Sequence, residues 1–210
     1  MNTIDAIKTR RAINFFDPAR EIPLDTLHEI IGIANLSPSS FNLQPWEVIV
    51  VTNSARKEAL KKCANNQPKI TEASATLIII ANPGAVEENV DRVLDNQVEL
   101  GYTRREDRDK SRGGPFSLYG EPGSEKRRLF AVKNASFFAM AFMITAKSMG
   151  FDTHPMDGIM PEMIKKEFNI PEDRIIPLLI AVGYPRPGLK LLPPKFRRAI
   201  PEFVKLDNYL

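Results

Sequence analysis

The chain has 210 residues, which is enough for one domain with its own hydrophobic core and too few for two full domains. Hydrophobic residues make up 43% and charged residues 26%, and this balance excludes a wholly disordered or fibrous chain. The 29 Lys and Arg against 26 Asp and Glu leave a net charge of +3, too small to require nucleic acid or a membrane as a partner. We therefore predict one soluble domain over residues 1–210 that binds neither.

The first half of the chain alternates predicted helices, loops and strands. An apolar 3.6-residue period from Leu27 to Ala34 predicts a helix capped by Asp25, and Ser54 is expected to cap a later helix. A loop rich in Ser, Asn and Pro precedes a β-branched run that predicts a strand. The predicted elements are helices over 3–8, 25–34 and 54–63, a loop over 36–45, a polar turn over 65–68, and strands over 47–52 and 76–81.

The second half centres on a predicted buried helix over 134–149, which is apolar around most of its circumference. An apolar period from Val90 to Val98 predicts a helix before it. After it we expect a turn over 155–158, a helix opening near Pro161, a strand over 175–184, and an extended Pro-rich tail from about 185. Helices between separated strands favour a layered α/β or α+β sheet over a helical bundle.

Residues 103–128 are predicted to leave the core as a long excursion. The Gly and Pro residues between 111 and 124 follow no regular period. Phe116 and Tyr119 lie in this excursion, and two interpretations stay open: a lid that lines or covers a pocket, or a mobile surface loop.

Common catalytic and metal motifs are missing from the sequence. It has no GxGxxG after a strand, no GxxxxGK[ST], no GxSxG and no HExxH. Two His and one Cys cannot form a usual structural zinc site, so no metal is expected. Cys63 is interpreted as a small buried side chain and not a nucleophile. Because the N-terminus shows no apolar signal segment, we predict a cytoplasmic protein.

Four short polar groups remain as candidate binding sites. They are Lys8 with Arg10 and Arg11, the stretch SPSSFNLQPW over 37–46, Asn66 with Lys69, and Lys195 with Arg197 and Arg198. Cations at the end of the first helix fit its dipole or an anion site equally well, and the second group alone favours a simple turn.

Taken in order, these groups resemble the FMN-dependent nitroreductase family over almost the whole chain. The most specific parts are RRAINFFDP at 10–18, SPSSFNLQPWEVIVV at 37–51, EASATLIII at 72–80 and IAVGYP at 180–185. The resemblance implies an α+β fold, a nitroreductase-like three-layer α/β/α sandwich with a central mixed sheet. It also implies a homodimer with FMN at the subunit interface and a C-terminal segment that extends onto the partner.

The same resemblance gives roles to individual cofactor-binding residues. Arg10 matches the ligand of the FMN phosphate, whose oxygens suit the planar guanidinium. Asn66 and Lys69 match the pair at the pyrimidine edge of the flavin, where a cation stabilises the negative charge of the reduced ring. The other matching positions are Arg11, Lys195 and Arg197 near the phosphate; Pro38, Ser39, Ser40 and Asn42 in the loop that reaches the flavin of the other subunit; and Asp157 and Gly158, whose amides approach flavin N5.

Two cofactor-binding positions depart from the family pattern. The family commonly has Ser at the position of Ala12 and Lys or Arg at the position of Asn14. Ala12 offers no hydroxyl to the phosphate, and Asn14 removes one positive charge. Arg11 and Arg198 are the candidates for replacing the missing donors.

The resemblance implies an NAD(P)H-dependent flavin oxidoreductase that works by a ping-pong mechanism on small acceptors such as nitroaromatics or quinones. No catalytic side chain is expected, because flavin N5 carries the chemistry. One alternative keeps the fold and the cofactor but performs a specialised reaction such as reductive dehalogenation. A remote alternative is a basic nucleic-acid-binding module over 104–128, although an interleaved aromatic platform is missing there.

Overall fold

The computed structural model describes residues 1–209 and has an α+β fold around one sheet. Its strands are β1 (Trp46–Val51), β2 (Ala75–Ala81), β3 (Asp152–Met156) and β4 (Ile175–Gly183), in the spatial order β1-β2-β4-β3. All neighbouring strands are antiparallel, whereas a mixed sheet was expected. The parallel pairing within residues 1–209 is limited to an isolated bridge between Ala12 and Thr153, outside the four strands.

Helices flank this sheet along the chain. They are α1 (Thr3–Thr9), α2 (Leu24–Ala34), α3 (Ser54–Lys62), α4 (Lys69–Glu72), α5 (Ala85–Glu99), α6 (Arg108–Tyr119), α7 (Glu125–Ser148), α8 (Pro161–Phe168) and α9 (Ile200–Phe203). The predicted helix boundaries hold to within a few residues in the first half of the chain, but two predicted caps are wrong. Asn53 caps α3 by accepting the Arg56 N–H at 3.1 Å, and Asp25 lies inside the first turn of α2, after Pro23.

Two hydrophobic clusters lie on opposite faces of the sheet and make the fold three-layered. Side chains of a strand alternate between faces, and β2 divides accordingly: Leu77 and Ile79 belong to one cluster, Ile78 and Ile80 to the other. The first cluster, here called the α7 face, includes side chains of α2, α5 and α7. The second, the α8 face, includes side chains of α3, α4 and α8. The three-layer α/β/α arrangement is confirmed.

The long helix α7 begins nine residues earlier than predicted and is not buried on all sides. Phe138 and Phe142 lie in the core, but Phe137 and Met140 are 46% and 38% exposed. By length and composition α7 could cross a membrane, yet half of its apolar window is buried within the fold. Phe137 and Met140 therefore leave an exposed apolar stripe on α7.

The predicted excursion is largely helical, which corrects the expectation of an irregular segment. Residues 108–119 form α6 despite Pro115, and α6 packs on α5 through the ion pairs of Arg108 and Arg112 with Asp91. Arg127 is fully buried at the start of α7. It makes a two-pronged ion pair with Glu87, at 2.6 and 2.8 Å, that fixes the α6–α7 connection on α5. Helix α6 also buries Pro115 and Tyr119, so packing of its C-terminal half and ion pairs with α5 hold it without a regular apolar period.

Two C-terminal expectations have different outcomes. The turn predicted over 155–158 is partly wrong, because Pro155 and Met156 complete β3 and the irregular segment starts only at Asp157. The tail runs extended as predicted, and residues 190–209 are exposed, including the short helix α9.

Candidate functional site

The segment Arg10–Asn14 forms the first part of the candidate site. Arg10 ends α1, where its N–H donates to the Ala6 carbonyl at 2.9 Å. The chain then runs extended beside β3, with the Ile13 N–H donating to the Thr153 carbonyl at 3.2 Å. Side chains of an extended chain point alternately to opposite sides. Ile13 is therefore buried, while Ala12 and Asn14, the two positions that depart from the family pattern, are exposed to solvent.

A tight turn after α3 presents the second part. Asn65 and Asn66 both adopt the left-handed conformation, at φ 51° and 54°, which Asn tolerates better than most residues. This turn leads directly into α4, whose first residue is Lys69. The Lys69 ammonium donates to Gln67 Oε1 at 3.2 Å.

The third part is Asp157–Gly158, which follows β3 and is joined to the turn by side-chain amides. Asn65 Nδ2 and Gln67 Nε2 both donate to the Gly158 carbonyl, at 3.1 and 3.0 Å. The structure therefore brings together three segments that the sequence suggested separately. We call these residues, Arg10–Asn14, Asn65–Lys69 and Asp157–Gly158, the basic edge.

His154 connects the basic edge to β3. Its Nδ1 lies 3.0 Å from the Ile13 carbonyl oxygen, and because a carbonyl only accepts, Nδ1 carries the hydrogen. Burial lowers the pKa of His154, and the charge of Lys69 lowers it further, while the bond to Ile13 opposes both. The imidazole is therefore neutral near pH 7 and holds the Arg10–Asn14 segment without adding charge.

Lys69 is the cation at the centre of this arrangement. Burial lowers its pKa, and the nearby Glu72 carboxylate counteracts part of that effect. Glu72 also accepts from the Phe16 N–H and from Arg186, at 3.3 and 2.9 Å, so its charge is shared among several donors. Lys69 remains a half-buried donor next to a segment that carries further cations.

The residues Pro38, Ser39, Ser40 and Asn42 lie on a different part of the molecule, in residues 37–44, which we call the hydroxyl loop. The Ser40 N–H donates to Asn134 of α7 at 3.1 Å, and the Tyr119 hydroxyl of α6 donates to Ser40 Oγ. Leu43 of this loop packs in the α7-face cluster, whereas Ile13 and Ile70 beside the basic edge pack on the α8 face. Within residues 1–209, no hydrogen bond links the two groups.

The tail passes the basic edge at Arg11. The Arg11 guanidinium donates to the carbonyls of Leu192 and Pro193, at 3.0 and 3.3 Å, so it holds the tail and is not free to replace the donor missing at Ala12. Arg198 lies over the ring of Phe203 at 5.3 Å. Lys195 and Arg197 follow the anchored carbonyls and are exposed.

Sequence reasoning missed Gln67, His154, Asn65 and Asn134, which hold the candidate residues in place. Gln67 and Asn65 stand beside the recognised Asn66 and Lys69, so proximity was the available signal. His154 had been considered only as a metal ligand. Within residues 1–209, no group of three or more His, Cys, Asp or Glu side chains could hold a metal ion.

Two cavities beside α6 lie away from the basic edge. One, of about 320 Å³, is lined by Phe41, Leu43, Val90, Leu94 and Pro115 among others. The other, of about 510 Å³, is bounded by Tyr102, Arg104 and Lys110 and is more polar.

The family model of the nitroreductase family matches residues 7–184. The chain belongs to the nitroreductase family. It is 31% identical over 199 residues to MhqN of Bacillus subtilis, a candidate NAD(P)H nitroreductase, covering 95% of this chain and 96% of the relative. This membership confirms the expected enzyme class, an NAD(P)H-dependent oxidoreductase, and FMN as the family's cofactor.

Two solved structures share the fold closely. The candidate nitroreductase YdfN of Bacillus subtilis has a TM-score of 0.90 at 29% identity, covering 96% of this chain and 97% of that one. A candidate nitroreductase from Exiguobacterium sibiricum, solved in complex with FMN, has a TM-score of 0.87 at 24% identity, covering 98% and 97%.

Proposed function

We propose that this chain binds FMN at the basic edge, as a homodimer, and uses it to pass hydride from NAD(P)H to flat acceptors such as nitroaromatics or quinones in a ping-pong sequence. The single observation that carries the proposal is the network that gathers Arg10–Asn14, Lys69 and Gly158 into one surface. These segments are far apart in sequence. We place the reaction in the cytoplasm, where NAD(P)H is available.

The donor set at the basic edge fits FMN. A phosphate needs a cation with several directed donors, and the half-buried Arg10 guanidinium provides them at the end of α1. The exposed Lys195 and Arg197 are proposed to complete the phosphate site from the tail. Because Arg11 is engaged with the tail, its proposed contribution to cofactor binding is to hold Leu192 and Pro193 near this edge.

The ring-facing residues are proposed to be Lys69, Asn66 and the backbone at Asp157–Gly158. The Lys69 ammonium has hydrogens left after its bond to Gln67, and a positive charge there favours an anionic partner more when it is partly shielded from water. Two amide donors hold the Gly158 carbonyl and so fix the peptide that would face flavin N5. We propose no catalytic side chain, since positioning and charge are what the chain supplies.

The homodimer is proposed from the surface that one chain leaves uncovered. Apolar side chains are exposed along α7, α1 and the tail: Phe137, Met140, Ile4, Ile7, Leu192, Phe196, Phe203 and Leu206. Exposed apolar patches of this kind mark interfaces between protein chains. Within one chain the hydroxyl loop does not reach the basic edge. In a dimer, the partner would bring its own hydroxyl loop, with Pro38, Ser39, Ser40 and Asn42, to the basic edge of this chain.

The proposal is tested by FMN retention. We expect purified protein to be yellow, and Arg10→Ala to weaken FMN binding at least tenfold, because a hydrogen bond to a charged group contributes about 1.5–3 kcal/mol. The dissociation constant follows from the quenching of FMN fluorescence. Arg92→Ala, which removes an exposed cation from α5, is the matched control and should bind FMN as the wild type does. A colourless wild-type protein that binds no added FMN would refute the proposal.

A further inference from the structure

Gln67 joins two parts of the basic edge that are proposed to face different atoms of the flavin. Its Nε2 donates to the Gly158 carbonyl at 3.0 Å, and its Oε1 accepts from the Lys69 ammonium at 3.2 Å. An ammonium only donates and a carbonyl only accepts, so one orientation of the Gln67 amide satisfies both. The side chain therefore ties the cation to the backbone of Gly158.

The main chain keeps Gln67 in place. The two left-handed Asn residues before it close the turn, and the Asn66 N–H donates back to the Lys61 carbonyl at 3.0 Å. Asn65 shares the Gly158 carbonyl with Gln67, at 3.1 Å. Because both atoms of the Gln67 amide are bonded and the turn is closed, this side chain can fix the distance between the Lys69 ammonium and the Gly158 carbonyl. A mobile surface amide could not.

Gln67 holds Lys69 without cancelling its charge. Among residues 1–209, Gln67 Oε1 is the one hydrogen-bond acceptor of the Lys69 ammonium. Burial already disfavours the charged form of this lysine, so the ammonium needs a polar partner. A carboxylate at position 67 would meet the same need but would neutralise the charge and face the Gly158 carbonyl with a second acceptor. A neutral amide meets the need and leaves the cation for a ligand.

We propose that Gln67 is a positioning residue for the flavin reaction: it fixes the Lys69 ammonium against the Gly158 backbone while staying neutral, so that position 67 adds no negative charge beside the cation that faces the ring. This inference rests on the proposed function, because it concerns a bound flavin. The midpoint potential of bound FMN should therefore depend on the residue at position 67, although this side chain need not touch the reacting atoms.

The test compares Gln67→Glu and Gln67→Met in the FMN-loaded protein. Gln67→Glu should weaken binding of reduced FMN about tenfold relative to oxidised FMN, which for a two-electron couple lowers the midpoint potential by about 30 mV. Gln67→Met keeps the length of the side chain and removes both hydrogen bonds, so it should shift the potential in the same direction by less. Potentials are measured by equilibration with a reference dye, and FMN affinity by fluorescence.

Gln97→Glu is the matched control, because it adds the same charge on α5, where Gln97 Oε1 accepts from Thr103 at 3.2 Å. Its potential should equal that of the wild type. The inference is overturned if Gln67→Glu behaves like this control, or if Gln67→Met leaves the potential at the wild-type value. Should Gln67→Glu fail to fold, Gln67→Met alone decides. A wild-type protein that binds no FMN would overturn the proposed function, whereas normal FMN binding with unshifted potentials would overturn only the role of Gln67.

Discussion

The basic edge and the hydroxyl loop are held in place in different ways. The basic edge is held by hydrogen bonds of 3.0–3.2 Å between segments that lie side by side. Gln67 links the turn to Gly158, and His154 links β3 to the Arg10–Asn14 segment. The hydroxyl loop has an internal bond from the Gln44 N–H to Ser39 Oγ at 2.9 Å. It is also held by Asn89, Tyr119 and Asn134, which lie on three helices that follow later in the chain. The basic edge is joined by bonds among its own segments and β3, whereas the hydroxyl loop depends in addition on bonds from α5, α6 and α7.

The two groups also pack on opposite faces of the sheet, the basic edge on the α8 face and the hydroxyl loop on the α7 face. A two-fold dimer can bring such surfaces together, because the hydroxyl loop of each copy can then face the basic edge of the other copy. The separation within one chain is therefore what a shared site requires.

The largest expected effect comes from mixing chains that are damaged in different groups. We expect Lys69→Met and Asn42→Gly each to lower the activity of its own homodimer at least about tenfold, since each removes a polar contact proposed for the cofactor. Glycine accommodates the left-handed φ of 55° at position 42, so the backbone is not strained. In a mixed dimer, one of the two sites receives an intact basic edge and an intact hydroxyl loop. Random mixing of equal amounts makes about half of the dimers mixed, so about a quarter of wild-type activity should return.

The control for this experiment mixes Lys69→Met with Arg10→Ala, two changes within the basic edge. Neither site of that mixed dimer has an intact basic edge, so no activity should return. Recovery in the control, or no recovery when the loop variant is used, would contradict a site shared between chains. Activity is measured as NADPH oxidation with a quinone acceptor after unfolding and refolding the mixture.

A smaller effect is expected on stability when the support of the hydroxyl loop is removed. Asn134 is buried, and its Oδ1 accepts the Ser40 N–H while its Nδ2 donates to the Phe130 carbonyl at 2.7 Å. Asn134→Ala should lower the free energy of unfolding by about 1–3 kcal/mol, because buried polar groups lose their partners. Ser136→Ala, two residues along α7, removes an exposed hydroxyl and should change it by less than about 0.5 kcal/mol. Urea unfolding measures the free energy of unfolding of both variants. Equal changes in the two variants would show that Asn134 does not support the loop.

How far the sequence predicts each region follows from the range of the interactions. The basic edge is built from local motifs, so Arg10, Asn66, Lys69 and Gly158 could be named from their neighbours, and the structure brings them together. Period and composition also predict β1, β2, α2 and α8. These elements are specified by residues within one or two turns of each other.

Long-range pairs are what the sequence conceals. Helix α6 contains Gly113, Gly114 and Pro115, which argue against a helix, but its bonds to Asp91 of α5 and the burial of Tyr119 in the α7-face cluster support it. The burial of Arg127 could not be foreseen, because its partner Glu87 is 40 residues away and charged residues are seldom fully buried without a partner. Likewise, His154 has a role only once β3 is seen beside Ile13.

The smallest expected effect comes from His154. It tests whether the imidazole that holds the Arg10–Asn14 segment is neutral in the folded protein. Because burial and Lys69 lower the pKa of His154 from its ordinary 6.5, the unfolded chain takes up a proton below about pH 6.5 that the folded chain does not. The free energy of unfolding should therefore decrease as the pH falls below 6.5. His154→Gln keeps a donor for the Ile13 carbonyl but cannot titrate, so its stability should fall less over the same range.

His28 provides the matched control, since it is exposed on α2 and away from the basic edge. His28→Gln should retain the wild-type slope of unfolding free energy against pH between 5 and 7, measured at one FMN occupancy so that cofactor binding does not contribute. If His154→Gln kept the wild-type slope as well, the imidazole would be titrating in the folded protein as it does in the unfolded chain. The charge of Lys69 would then not reach it, and the basic edge would be more open to water than its hydrogen bonds indicate.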